Sequence, residues 1–158
     1  MDNVTVKDLE SIIKFFAENT LKEKPISVED DVWGPTIPSV LNQEMLYLDF
    51  WYNQEIRIHK GKVLVPGSGD GRRVACLNRL GYDVVGVEIN PRLVKNSNSL
   101  LDRLAQQGLI KRDKAAIYQG NFLDDGIYRS KSINFGDFDI IFAYLMPHNL
   151  HRVLEKFE

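Results

Sequence analysis

Two kinds of hydrophobic spacing divide this chain. From Asp8 to Lys24, apolar residues return at steps of three and four. Leu9, Ile12, Ile13 and Phe16, extended by Thr20, share one face, which predicts an amphipathic helix. Thr5 or Asp8 can cap it, and Pro25 ends it. Glu29-Asp30-Asp31 reads as an acidic loop, and Trp33 to Pro38 as a rigid, extended stretch. Ser39 then caps a second predicted helix, about Val40 to Ile58. Its apolar set is Val40, Leu41, Met45, Leu46, Leu48, Phe50, Trp51 and Ile56.

From Lys62 the pattern changes. Short continuous apolar runs alternate with helical spacing, which predicts buried strands separated by helices. The strands are Lys62 to Pro66, Asp83 to Glu88, Ala115 to Gln119 and Phe138 to Tyr144. A helix over Gly71 to Leu80 should stop at Gly81 in a left-handed turn. Asn90 caps the next helix with Pro91 at its first position, and that helix ends near Gly108. Asn121 to Gly126 reads as a loop, and a further helix begins at Asn149. Such alternation predicts an α/β domain with a doubly wound, mainly parallel sheet and right-handed crossovers. Residues 1–58 are expected to form an N-terminal helical cap, and residues 59–158 the core.

The first strand runs into Gly67-Ser68-Gly69-Asp70-Gly71, and the second ends in Glu88. Glycines let a backbone approach a ligand closely, and an acid at the next strand end can hold both hydroxyls of a ribose. Together they predict an adenosine-containing cofactor lying across two strand ends. A dinucleotide fingerprint wants a third glycine where Arg72 stands, which disfavours a nicotinamide dehydrogenase. No Lys-Ser or Lys-Thr follows the glycines, so the phosphate-binding P-loop is excluded.

This ordered set resembles the class I S-adenosylmethionine-dependent methyltransferases, with a Rossmann-like core. The resemblance covers about Trp33 to Glu158. It implies that Gly67, Ser68, Gly69, Asp70 and Gly71 wrap the methionine part of S-adenosylmethionine. It makes Glu88 the ribose ligand and Ile89 the apolar neighbour of the adenine. Gly120-Asn121-Phe122 matches the motif in which a polar side chain and a backbone amide read the adenine edge. Phe138 to Tyr144 matches the strand that ends beside the transferred methyl, which brings in Ala143 and Tyr144. Pro35-Thr36-Ile37-Pro38 resembles the segment that closes over the cofactor in small protein-lysine methyltransferases and the Dot1-like group, and adds Thr36. A protein lysine is thus the first expected acceptor. The variant Val65-Pro66-Gly67 resembles thiol and halide methyltransferases, so a small molecule is the next.

Two departures change the picture. Val65 stands where the family commonly keeps an acid. The last strands of the family's seven-stranded sheet are missing, which reads as a fragment or an abbreviated member. Strand four would then be an exposed apolar edge, and self-association or a partner chain is expected to cover it. Both departures feed the alternative of a catalytically inactive methyltransferase-like subunit that binds a partner.

Composition narrows the field further. The 158 residues suffice for one domain with a real core. A hydrophobic share of 44% and a charged share of 27% are those of an ordinary soluble protein. With a net charge of −2, no strong field draws nucleic acid, and Lys111 to Lys114 is too small a footprint for it. The start lacks a signal peptide and no run matches a membrane helix, so a cytoplasmic protein is expected. Cys76 is the one cysteine and reads as core packing. Tyr144 and His148 are the candidate catalytic groups, since an amine or thiol acceptor must lose a proton. His148 and His151 lack a third ligand, so no metal site is expected. Trp33 is either a substrate-mouth residue or a packing anchor, and Asp124 and Asp125 are simplest as loop solvation.

Overall fold

The apolar runs become strands because the central two, Lys62–Pro66 and Asp83–Glu88, bury both of their faces. The computed structural model describes residues 6–19, 26–28, 31–33, 43–44 and 61–157. In chain order these form α1 (Val6–Asn19), β1 (Ile26–Val28), β2 (Asp31–Trp33), β3 (Lys62–Pro66), α2 (Arg72–Arg79) and β4 (Asp83–Glu88). Then come α3 (Pro91–Gln106), β5 (Ala115–Gln119), α4 (Asp125–Ser130), β6 (Ile140–Ile141) and α5 (Pro147–Phe157).

Four strands form one sheet in the order β5-β4-β3-β6, and every pair is parallel. Val63 lies opposite Val84 on one side and Ile140 on the other. The chain steps outward from β3 to β4 to β5, then returns to pair β6 with the free side of β3. That reversal opens a crevice above the C-terminal ends of β3 and β6, where doubly wound sheets bind ligands.

Helices cover both faces. On one, Leu9, Ile12 and Phe16 of α1 join Val63, Val65, Leu77 and Leu101 in a single buried cluster. Asp8 also binds Arg79 at 2.8 Å, fastening α1 to α2. The N-terminal helix therefore shares the core of the sheet. On the other face, Leu64, Val85, Val87 and Tyr128 are buried. Phe135 stacks between Tyr128 and Phe157, at 4.4 and 5.0 Å between ring centroids.

The punctuation follows the expected chemistry. Asn90 accepts from the N–H groups of Arg92 and Leu93, with Pro91 beside it. Gly81 stops α2 at φ 104°, and Gly108 follows α3 at φ 71°. Buried Asn78 is an unexpected tie. Its Nδ2 donates to the carbonyls of Tyr82 and Lys114, and its Oδ1 accepts from the Lys111 N–H. One amide thus joins the end of α2 to the approach to β5.

Several expectations need correction. β1 and β2 form an antiparallel hairpin, so Asp31 sits in a strand opposite Val28 rather than in a loop. Asp124 caps α4 by accepting from the Gly126 N–H, where solvation alone was expected. Asp125 is engaged by Lys156 of α5, which also donates to the Leu123 carbonyl. α5 begins at Pro147, two residues before the expected start. The strand expected over Phe138 to Tyr144 contracts to Ile140–Ile141. A 3-10 turn at Phe135–Asp137 absorbs its approach, and Asp139 uses its carboxylate to accept the Lys62 N–H in place of a strand partner. Of the second predicted helix, Gln43 and Glu44 are helical. Its remainder, the stretch of α1 from Thr20 to Lys24 and the segment Gly34 to Pro38 lie outside the described residues.

The edge at β6 is open among the described residues. Ile141, Ala143, Leu150, Val153, Leu154 and Phe157 line an apolar groove of about 310 Å³ there. No described helix is long and apolar enough to cross a membrane.

Cys76 lies in the core beside Leu77, and burial pushes its thiol up to about 12. The folded protein is therefore expected to resist a thiol-reactive reagent at mildly alkaline pH and to react fully once denatured. Rapid labelling of native protein, followed by mass spectrometry, would contradict this packing.

Candidate functional site

The site grows from the loop that leaves β3. Pro66 is buried, and beyond it Gly67, Gly69 and Gly71 all have positive φ, at 65°, 58° and 83°. Side chains rarely tolerate that conformation, so alternate glycines allow the chain to coil tightly into α2. Gly71 has a second reason. A Cβ there would stand 2.8 Å from Ile117 Cδ1 and 2.9 Å from Ser97 Cβ. The third glycine therefore lets the start of α2 pack against α3 and β5.

Glu88 closes this loop against the neighbouring strand. It is 7% exposed. Its Oε2 accepts from the Gly69 N–H at 2.9 Å, and its Oε1 accepts from the Asn90 N–H at 2.9 Å. Its two oxygens thus face the loops that leave both β3 and β4. The Ser68 N–H donates to the Val87 carbonyl and binds the same loop to β4. The Ser68 side chain is turned under the loop, with its Oγ 2.8 Å from where a Cβ on Gly86 would stand. Any ligand contact from Ser68 thus falls to its backbone.

Asp70 is engaged within the loop itself. Its carboxylate accepts from Arg72 Nε at 3.0 and 2.9 Å, from Nη2 at 2.5 Å and from the Arg72 N–H at 3.2 Å. Both side chains are about 95% buried. This pair braces the loop from below. Arg72, which marked the missing glycine of a dinucleotide loop, is the partner that makes this possible.

Other expected residues gather at the strand ends. Leu145 Cδ2 lies 2.5 Å from where a Cβ on Gly67 would stand, and Phe122 Cε1 lies 4.0 Å from it. Glycine at 67 therefore makes room for Leu145, a neighbour the sequence offered no motif to find. Asn121 Oδ1 accepts from the Leu123 N–H and shapes the turn after β5. Ile89, Tyr144 and Met146 are 42%, 54% and 49% exposed. The Ala143 side chain lines the groove beside α5. His148 is exposed in the first turn of α5, and His151 forms a surface pair with Glu155 at 3.1 Å. Thr36 lies outside the described residues. Arg73 and Glu44 were also missed. Arg73 Nη2 meets Glu44 at 3.3 Å, and its guanidinium stands 4.2 Å from the centroid of the Tyr144 ring.

Comparison with known proteins agrees with this geometry. No family model and no curated protein matches the chain. Solved structures do. An RNA methyltransferase from Salinibacter ruber, crystallised with S-adenosyl-L-homocysteine, is 26% identical, with a TM-score of 0.54. That match covers 77% of this chain and 69% of the other. An O-methyltransferase from Bacillus cereus, also with S-adenosylhomocysteine, is 17% identical, with a TM-score of 0.61 over 99% of this chain and 62% of its own. A protein-L-isoaspartate O-methyltransferase is 17% identical, with a TM-score of 0.51 over 88% of this chain and 47% of its own. In fold, the chain is similar to class I S-adenosylmethionine-dependent methyltransferases, and its glycine loop and buried acid stand at adjacent strand ends of that Rossmann-like sheet. S-adenosylmethionine is the cosubstrate of that class, and a buried acid joined to a glycine loop at the next strand end is of the chemistry that suits its ribose.

Removing the Asp70 carboxylate would take from buried Arg72 the counter-charge that stands 2.5 Å from its Nη2. Asp70→Ala is expected to cost on the order of 3 kcal/mol of folding stability. Denaturant unfolding measures this. A change within experimental error would mean that the pair does not brace the loop.

Proposed function

We propose that this chain transfers a methyl group from S-adenosylmethionine to a lysine side chain of a protein. The single observation that carries the cofactor half is Glu88, buried at 7% exposure and hydrogen-bonded to the backbone beyond both β3 and β4. In this reading Glu88 accepts from the ribose hydroxyls. The backbone of Gly67 to Gly71 cradles the methionine part, with Ser68 contributing through its main chain. Ile89 and Phe122 flank the adenine, whose edge meets Asn121 and the adjacent amide. Ala143 and Thr36 complete the surroundings, and residues 1–58 act as the cap on a core of residues 59–158.

The cosubstrate supplies an activated sulfonium methyl, so alignment is the protein's main contribution. Tyr144, exposed beyond β6, orients the acceptor amine, and Tyr144 or His148 assists its loss of a proton. Two features support a protein acceptor. One is the likeness of Pro35-Thr36-Ile37-Pro38 to the closing segment of lysine methyltransferases. The other is the apolar rim of Ile89, Tyr144 and Met146, each at least 42% exposed. An exposed rim suits a segment of a macromolecule, whereas small ligands are ordinarily enclosed on most sides. RNA is the second reading, favoured by the 26% identity to the Salinibacter ruber protein. The net charge of −2 gives it little electrostatic footing. An inactive subunit is not favoured, since the glycine loop and its acid remain joined.

Titration calorimetry with S-adenosylhomocysteine tests the cofactor half. Micromolar binding is expected, weakened about tenfold or more in Glu88→Ala, the scale of losing hydrogen bonds to a charged group. A parallel thermal melt separates lost binding from lost folding. Folded protein without binding would overturn the reading. Transfer of labelled methyl groups to cell extract decides the acceptor. Label recovered as methyl-lysine after hydrolysis supports the proposal, and ribonuclease-sensitive label replaces it with RNA.

A further inference from the structure

Arg72 and Arg73 are adjacent in the first turn of α2, yet their guanidinium groups serve different partners. Arg72 is taken up by Asp70 within the loop. Arg73 instead joins three parts of the chain that are far apart in sequence. It reaches Glu44 of the N-terminal segment at 3.3 Å, and it stacks on Tyr144, which follows β6, at 4.2 Å. The Arg73 side chain is only 11% exposed and that of Glu44 24%. Burial lowers the Arg73 pKa, and the Glu44 carboxylate opposes that shift.

The position of this contact gives it a consequence. Tyr144 is followed by Leu145, whose Cδ2 leans over Gly67, the first residue of the glycine loop. The segment held by Arg73 is thus the segment that covers the loop. No described strand flanks β6 on its outer side, and its ladder with β3 spans only two residues. The Phe142 N–H still donates to the Leu64 carbonyl at 2.8 Å, but backbone pairing with β3 does little to fix the residues after it. A planar cation on an aromatic face, with a carboxylate behind the cation, supplies the constraint that the ladder lacks.

We propose that Arg73 is a positioning residue. It holds Tyr144 and Leu145 over the glycine loop, and it makes that position depend on the N-terminal segment through Glu44. In the methyl-transfer reading, on which the functional part of this inference rests, an acceptor bound against Tyr144 and a cap seated through Glu44 are coupled. Loss of Arg73 would loosen the acceptor side while leaving Glu88 and the cofactor cradle in place.

Hydrogen exchange of the whole chain, followed by mass spectrometry, tests the physical claim without requiring activity. Arg73→Met should speed exchange at residues 143–146 roughly fivefold, the scale of one cation–π contact, while β3 and β4 stay protected. Arg73→Lys keeps a charge for Glu44 but loses the planar stack, so it should restore protection near residue 44 and not near 144. Tyr144→Leu provides a variant that leaves the Arg73–Glu44 pair in place, should Arg73→Met fold poorly. It should speed exchange at residues 145–146 in the same way. Unchanged exchange beyond β6 in both Arg73→Met and Tyr144→Leu would overturn the proposal.

The functional consequence is read separately. With S-adenosylhomocysteine affinity held within about twofold, Arg73→Met should raise the acceptor KM or lower kcat about fivefold, and Glu44→Gln should move the same parameter in the same direction. Equal losses of cofactor affinity and turnover would point to a merely structural role and overturn it. A wild-type chain that binds no S-adenosylhomocysteine would remove the methyl-transfer reading, and the exchange experiment would still decide the positioning role.

Discussion

A buried carboxylate must find hydrogen-bond donors or lose its charge, and Glu88 finds them in the two loops that leave β3 and β4. One oxygen takes the Gly69 N–H and the other the Asn90 N–H. The same acid therefore sets the height of the glycine loop above the sheet and the start of α3. Ser68 reinforces the arrangement through its N–H on the Val87 carbonyl. Without these ties, a loop with three glycines of positive φ would have little reason to hold one conformation.

The second constraint lies beneath. Asp70 and Arg72 form a charge pair with almost no access to water. Such a pair is a weak source of net stability, but breaking it is costly, and that penalty makes the loop's geometry specific. The sheet supplies the rest. Its order places β6 beside β3, so the crevice opens above the glycine loop rather than elsewhere along the sheet. The chain spans 62% and 69% of the length of the Bacillus cereus and Salinibacter ruber proteins it matches.

The outer edge is the part of the sheet least constrained by its own backbone. β6 has one neighbour and two ladder residues, and apolar side chains of α5 flank it in an open groove. Interactions between side chains therefore carry more of the burden there. The Asp139 carboxylate stands in for a strand acceptor, and Arg73 reaches across to Tyr144.

Much of this was legible along the chain. β3, β4 and β5 match the expected runs residue for residue; β3 and β4 are buried on both faces and so nearly continuously apolar, and β5 is buried at alternate residues. The Asn90-Pro91 start and the Gly81 stop were equally plain, since their causes are local backbone preferences. The glycine loop and Glu88 were legible as a motif for the same reason: spacing alone puts them at adjacent strand ends. What spacing does not encode is the partner of a side chain far away in sequence. That Asp70 pairs with Arg72, that Ser68 turns under the loop and that Leu145 fills the space over Gly67 depend on side-chain direction. So does the meeting of Glu44, Arg73 and Tyr144. The shortening of β6 has the same origin, because a strand extends only as far as its neighbour and its approach turn permit. The sequence determined the three strands β3, β4 and β5 and where the glycine loop lies, through local preference and burial. Only the tertiary structure decided which charges and rings meet around that loop, because those contacts are settled by packing in three dimensions.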